Sequence, residues 1–150
     1  MATSVRILAL ALAAALAPTQ VAGAESVAQT LSRWGLIGTW ALDCSKPASG
    51  SNGYLSYVSR RAGQVSHERD FGDRQDVNEV RQARTGSGGA LDLVVHFPKL
   101  SQTRKYTMIM GSDGRIRATA NSKTDGTEPT IAKGNFTANG KATPWQVRCR

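Results

Sequence analysis

Leu36-Ile37-Gly38-Thr39-Trp40-Ala41-Leu42-Asp43-Cys44 is the stretch whose reading decides the fold. Leu36, Gly38, Trp40, Leu42 and Cys44 are apolar or small, while Thr39 and Asp43 fall between them, which is the period-two pattern of a half-buried strand. Cys44 is one of two cysteines in 150 residues; the other is Cys149, beside the C-terminus. Trp145, Val147 and Cys149 share a face of the last apolar stretch in the same way. Each cysteine is therefore expected on the apolar face of a terminal strand. If those strands are neighbours, a disulfide needs α-carbons about 5.5 Å apart, which a paired strand geometry supplies. Closing a loop of about 100 residues contributes up to about 4.7 kcal/mol on the chain-entropy account.

Between these ends the chain is a succession of short strands and turn clusters. Tyr54–Arg60, Gln64–Phe71, Gln75–Arg84, Ala90–Phe97, Thr103–Met110, Arg115–Asn121 and Pro129–Ala138 each read as a strand. Leu91, Leu93, Val95 and Phe97 give the strongest core signal, and Tyr106, Met108 and Met110 share a face. Lys46–Gly53, Thr85–Gly89 and Gly111-Ser112-Asp113-Gly114 read as turns, the last as a hairpin. Glu25–Trp34 is expected to be a helix: Ser26 and Gln29 make a capping-box pattern, Val27, Leu31 and Trp34 fall on one face, and Gly35 ends it. The expectation is an all-β protein, an antiparallel up-and-down barrel of about eight strands with a short N-terminal helix, closed by the disulfide. A barrel removes the exposed edges that a long meander leaves. An open two-sheet sandwich is the alternative.

Met1–Ala24 reads as a secretory signal peptide: Arg6 in the n-region, an apolar run over Ile7–Ala17, and Ala22-Gly23-Ala24 as the cleavage site. The apolar run is too short to span a bilayer, which takes roughly 20 residues. Glu25–Arg150 is then a single exported domain, periplasmic or secreted, in a compartment where two cysteines pair. Losing Arg6 lowers the formal charge from +8 to +7, a balance that favours anionic partners and also solubility.

Gly38-Thr39-Trp40, on a first strand that follows a short helix, resembles the Gly-x-Trp signature of lipocalins and the wider calycin barrels. That resemblance implies a tryptophan packed across the closed end of a barrel and covered by a basic side chain near the last strand, here Arg148 or Arg150. The chain is shorter than a typical lipocalin and its disulfide is placed differently. In size, and in a tryptophan on the first strand, it is also similar to bacterial exported inhibitors of metalloproteases. The segment Gly38–Pro47 is similar to the opening of uncharacterised exported bacterial proteins, a likeness that names no activity.

His67 and Arg69 share the face of Val65 and Phe71, so both are expected inside the barrel. There they can meet the head group of an anionic ligand, or be paired with Asp76 or Glu79. Tyr54, Tyr57, Tyr106 and Met108 supply an adaptable apolar lining, with Met110 beyond. The candidate ligand-binding set is Tyr54, Tyr57, His67, Arg69, Tyr106 and Met108. Two histidines on opposite faces do not make a zinc site, the Gly86–Gly89 turn is no phosphate cradle, and no nucleophile elbow occurs. No catalytic residue, metal or cofactor is expected. Three roles stand open: non-enzymatic binding of a small amphiphilic or anionic ligand; capture of an exported protein, such as a protease, through the N-terminal segment; and docking on an anionic envelope surface through a basic stripe of Lys105, Arg115, Arg117 and Lys133. Nucleic acid is not an expected partner, because export separates the chain from it.

Overall fold

A computed structural model describes residues 24–150, so the signal-peptide reading of Met1–Ala24 lies almost wholly outside the described residues. Helix α1, Val27–Trp34, forms where the capping box predicts: the Ser26 hydroxyl accepts from the Gln29 amide while the Gln29 side chain returns to the Ser26 amide. Gly35 ends the helix in the left-handed conformation that glycine adopts without strain. Leu31 and Leu36 drive into the core, and the Trp34 indole donates to the Gly89 carbonyl. The helix is thus a plug at one end of the fold.

Ten strands follow: β1 Gly38–Ala41, β2 Tyr54–Ser59, β3 Val65–Asp70, β4 Gln75–Thr85, β5 Leu91–Phe97, β6 Gln102–Met110, β7 Ile116–Lys123, β8 Ile131–Ala132, β9 Asn135–Phe136 and β10 Val147–Arg148. They form one antiparallel sheet in the order β10-β1-β2-β3-β4-β5-β6-β7-β8-β9. The sheet curls into a half-barrel around a core of Trp40, Tyr57, Val65, Val80, Leu91, Leu93, Val95, Phe97, Met108 and Ile116. Strict alternation over β5 buries Leu91, Leu93, Val95 and Phe97, as the sequence pattern requires.

Two expectations about this barrel are corrected. There are ten strands rather than about eight, and the barrel is not closed. The C-terminal segment forms one isolated backbone bridge with β7, Ile116–Gln146, and pairs with β1 through Trp40–Arg148 and Ala41–Val147. Beyond that stitch the ladder is interrupted, because the chain from 124 to 146 carries Gly126, Pro129, Gly134, Gly140 and Pro144 and forms only two-residue strands. Pro129–Ala138 is accordingly not one strand. It folds back on itself at Lys133-Gly134, both at positive φ (50° and 76°), as a two-residue hairpin turn requires.

The first strand also stops early. Its alternation ends at Trp40: Ala41 is buried too, and Leu42 is 39% exposed. Asp43 then turns the chain by accepting from the Ser45 amide and hydroxyl. The Cys44–Cys149 disulfide is present, with α-carbons 5.5 Å apart, but it sits outside the curl rather than on the core face. Arg148 lies with Trp40 across the ladder, so Cys149 points the other way, beside Thr39.

Candidate functional site

The elements that curl the sheet also set its interior. On β3, Val65 begins an inward series that continues through His67 and Arg69, and on β6 the inward series is Arg104, Tyr106 and Met108. β2 contributes Leu55 and Tyr57, which pair across the ladder with Arg69 and His67. Around these residues lies a cavity of about 360 Å³, with Tyr57, His67, Arg69, Tyr106 and Met108 in its lining. Ala118 of β7 completes the inner wall, while Leu42, Phe71, Phe136 and Pro144 form an apolar rim at the mouth. The deep residues are buried and the rim residues Leu42 and Phe136 are exposed, so the cavity opens away from the α1 plug.

Five of the six candidate residues therefore converge, and Tyr54 does not join them. Three residues separate Tyr54 from Tyr57, and three steps along a strand invert the face. Tyr54 lies outside, its hydroxyl donating to the carbonyls of Lys46 (2.6 Å) and Cys44 (3.2 Å), where it pins the loop that carries the disulfide.

His67 is 4% exposed and stacks on Tyr57 with ring centroids 4.6 Å apart, while Phe97 meets it edge-on. Burial, reinforced by the neighbouring Arg69 charge, pushes its pKa down to about 3. The ring is neutral, and its buried Nδ1 has no hydrogen-bond partner. The same burial pushes the Tyr57 and Tyr106 phenols up. Arg69 is committed elsewhere: its Nε donates to Asp76 at 2.8 Å, its Nη2 binds the second carboxylate oxygen, and its guanidinium covers Phe97 at 4.6 Å. Burial opposes that charge, but the Asp76 bonds outweigh it and raise the Arg69 pKa, while Arg69 holds Asp76 below the usual carboxylate range. Asn78 supports the pair by donating to Asp76 at 2.6 Å.

Arg104 and Asn121 are interior residues that sequence reasoning missed. Arg104 is 8% exposed and donates from Nε to Asn121 Oδ1 at 2.6 Å. Its place was legible in principle, because it stands two residues from Tyr106 on the same strand face. Asn121 was not, since a β-bulge between Thr107 and Met108 shifts the β6–β7 register beside it.

The basic stripe is divided. Arg115 pairs with Asp113, Arg115 and Arg117 both cover the Trp145 ring, and Lys133 precedes Gly134, which lies against the Arg117 guanidinium, whereas Lys105 stands opposite Ser122, well along β7 from Arg117. A larger pocket, of about 770 Å³, with Lys105 in its lining spans the outer face of β4 to β7 beside Val27, but Arg81 and Arg84 there are paired with Glu79 and Asp92. Among the described residues, no group of three His, Cys, Asp or Glu side chains could hold a metal ion, and no helix is long and apolar enough to cross a membrane.

At the plugged end, Trp40 is 1% exposed, and its indole donates to the Leu36 carbonyl at 2.8 Å. Arg148 covers the ring at 5.3 Å and donates to the carbonyls of Gly35 and Ile37. Gly38 makes this possible: a Cβ there would lie 2.4 Å from the Arg150 carbonyl oxygen and 3.0 Å from Arg148 Nε. Comparison of the chain with family models, curated proteins and solved structures finds no match.

Proposed function

We propose that the inner cavity of the curled sheet binds a small amphiphilic molecule non-covalently and without chemical conversion, in an exported protein of lipocalin-like build. The observation that carries this reading is the convergence of Tyr57, His67, Tyr106 and Met108 on one cavity of about 360 Å³. That volume lies in the range of small-molecule sites, and an apolar lining with a few polar groups is their usual make-up. The unpartnered Nδ1 of His67 adds a polar atom that a ligand hydroxyl or amide can match. Arg148 over Trp40, with Gly38 beneath the crossing, supports the calycin comparison at the level of fold analogy. The Cys44–Cys149 disulfide supports an oxidising compartment, periplasmic or extracellular.

Native mass spectrometry of the disulfide-intact protein, purified from a bacterial periplasm, tests the reading. A stoichiometric small-molecule adduct, or one formed on adding anilinonaphthalene sulfonate, is expected. The variant Ala118→Phe, which fills the inner wall, should lose it while keeping the β-sheet circular dichroism spectrum. A bare mass in repeated preparations, together with no binding of the added probe, would contradict it. Capture of a protein by a free N-terminal segment is disfavoured, because Leu31 of that segment is fully buried in the core.

A further inference from the structure

Among the described residues, Arg69 and Arg104 line the inner chambers of the curl, and of these two Arg69 alone is neutralised. Arg69 meets both oxygens of Asp76. Arg104 meets uncharged acceptors: Asn121 Oδ1 at 2.6 Å, the Glu128 carbonyl at 2.8 Å, Gln102 Oε1 at 3.3 Å and Thr130 Oγ1 at 3.5 Å. The Glu128 carboxylate is turned to Lys123 instead. A guanidinium carries five N–H donors, so this set leaves capacity on Nη1. A buried charge held without a counter-charge is costly, and the cost falls when an anion arrives.

Beside Arg104 lies a second chamber, of about 280 Å³, lined by Phe97, Leu100, Gln102, Tyr106 and Asn121 and sharing Arg69 and Tyr106 with the main cavity. Leu100 is exposed at its edge, so the chamber is reached from solvent.

We infer that this chamber is an anion subsite that takes the carboxylate of a monoanionic ligand whose apolar body lies against Tyr106 and the main cavity. The inference rests on the ligand-binding reading above and adds the charged group and its receptor. One uncompensated positive charge matches one negative charge. A phosphate monoester carries roughly −1.5 to −2 and leaves an excess buried with it. The Nη1–H left over by this set can give a carboxylate oxygen one charge-assisted hydrogen bond. Phe97 and Tyr106 give the chamber an aromatic wall, which suits an aryl carboxylate.

Isothermal titration of the oxidised protein with sodium benzoate, benzyl alcohol and inorganic phosphate tests the assignment. Benzoate is expected to bind at least about tenfold tighter than benzyl alcohol, the scale of a hydrogen bond to a charged group, and more tightly than phosphate. Arg104→Gln should erase the preference for benzoate and leave the alcohol's affinity in place, while Arg104→Lys should keep part of it. Should Arg104→Gln fail to fold, nuclear magnetic resonance of the unmodified protein decides: benzoate shifts the Arg104 Nε–H resonance and leaves that of Arg148 unmoved. An unmoved Arg104 resonance at saturation, benzoate no tighter than benzyl alcohol, or phosphate preferred over benzoate overturns the subsite alone. No binding of benzoate or of benzyl alcohol overturns the cavity reading with it.

Discussion

His67 shows what a single buried position does to the molecule's response to pH. The unfolded chain takes up a proton below about pH 6.5, whereas the native ring, buried and beside Arg69, resists protonation down to about pH 3. The unfolded state therefore binds more protons across that window, and stability falls as pH is lowered through it, by up to about 1.4 kcal/mol per unit. Asp76 acts with the same sign but only lower, below its ordinary value of 3.8, because Arg69 depresses its native pKa. Urea unfolding between about pH 6.5 and 4 is expected to show the loss in the parent protein and a nearly level profile in His67→Phe; a level parent profile would contradict the burial argument. Strand parity alone made the inward placement of His67 and Arg69 legible. The same parity separates Tyr54 from Tyr57, and counting three positions rather than grouping tyrosines by type places Tyr54 outside. The partner of Arg69 could be narrowed to Asp76 or Glu79 but not chosen, because the choice depends on which residue of β4 stands across the ladder.

Among the elements, α1 and the Trp40 end were the most legible and the C-terminal third the least. The capping box, the Val27-Leu31-Trp34 face and the Gly35 stop are local signals, so they survive into the fold unchanged. Leu31→Ala is expected to cost about 2–5 kcal/mol in chemical denaturation, as for other buried leucines, and a loss under 1 kcal/mol would argue against the plug. Arg148→Ala removes a cation–π contact and charged hydrogen bonds to two carbonyls, for an expected loss of about 1–3 kcal/mol that thermal unfolding can read. The β8–β9 hairpin was hidden because Ala132, Gly134 and Phe136 alternate as a strand would, while the turn-forming pair sits inside the alternation. Lys133 occupies a positive-φ position that asparagine tolerates better. Lys133→Asn should therefore raise stability by up to about 1 kcal/mol, and destabilisation would contradict the turn assignment.

At the scale of the whole molecule, the two cysteines announced that the first and last strands meet, and they do. What they could not announce is how far the sheet closes. Closure depends on strand lengths beyond β7, and Gly and Pro in that region break the ladder into two-residue pieces. The disulfide spans 105 residues of sequence and ties β10 to the turn after β1, beside a ladder of two residue pairs. Replacing both cysteines by alanine is expected to lower stability by several kcal/mol, with about 4.7 as the ceiling of the chain-entropy account, while the β-sheet spectrum persists under native conditions. The open mouth that incomplete closure leaves is also the route to the cavity, so architecture and proposed binding have one origin. Isotope-filtered nuclear Overhauser spectroscopy of the protein with a saturating aromatic ligand tests that link most directly. Cross-peaks from the ligand to the methyl groups of Met108 and Ala118 are the predicted result; cross-peaks confined to outward residues such as Val77 and Val94, with none to Met108, would contradict it.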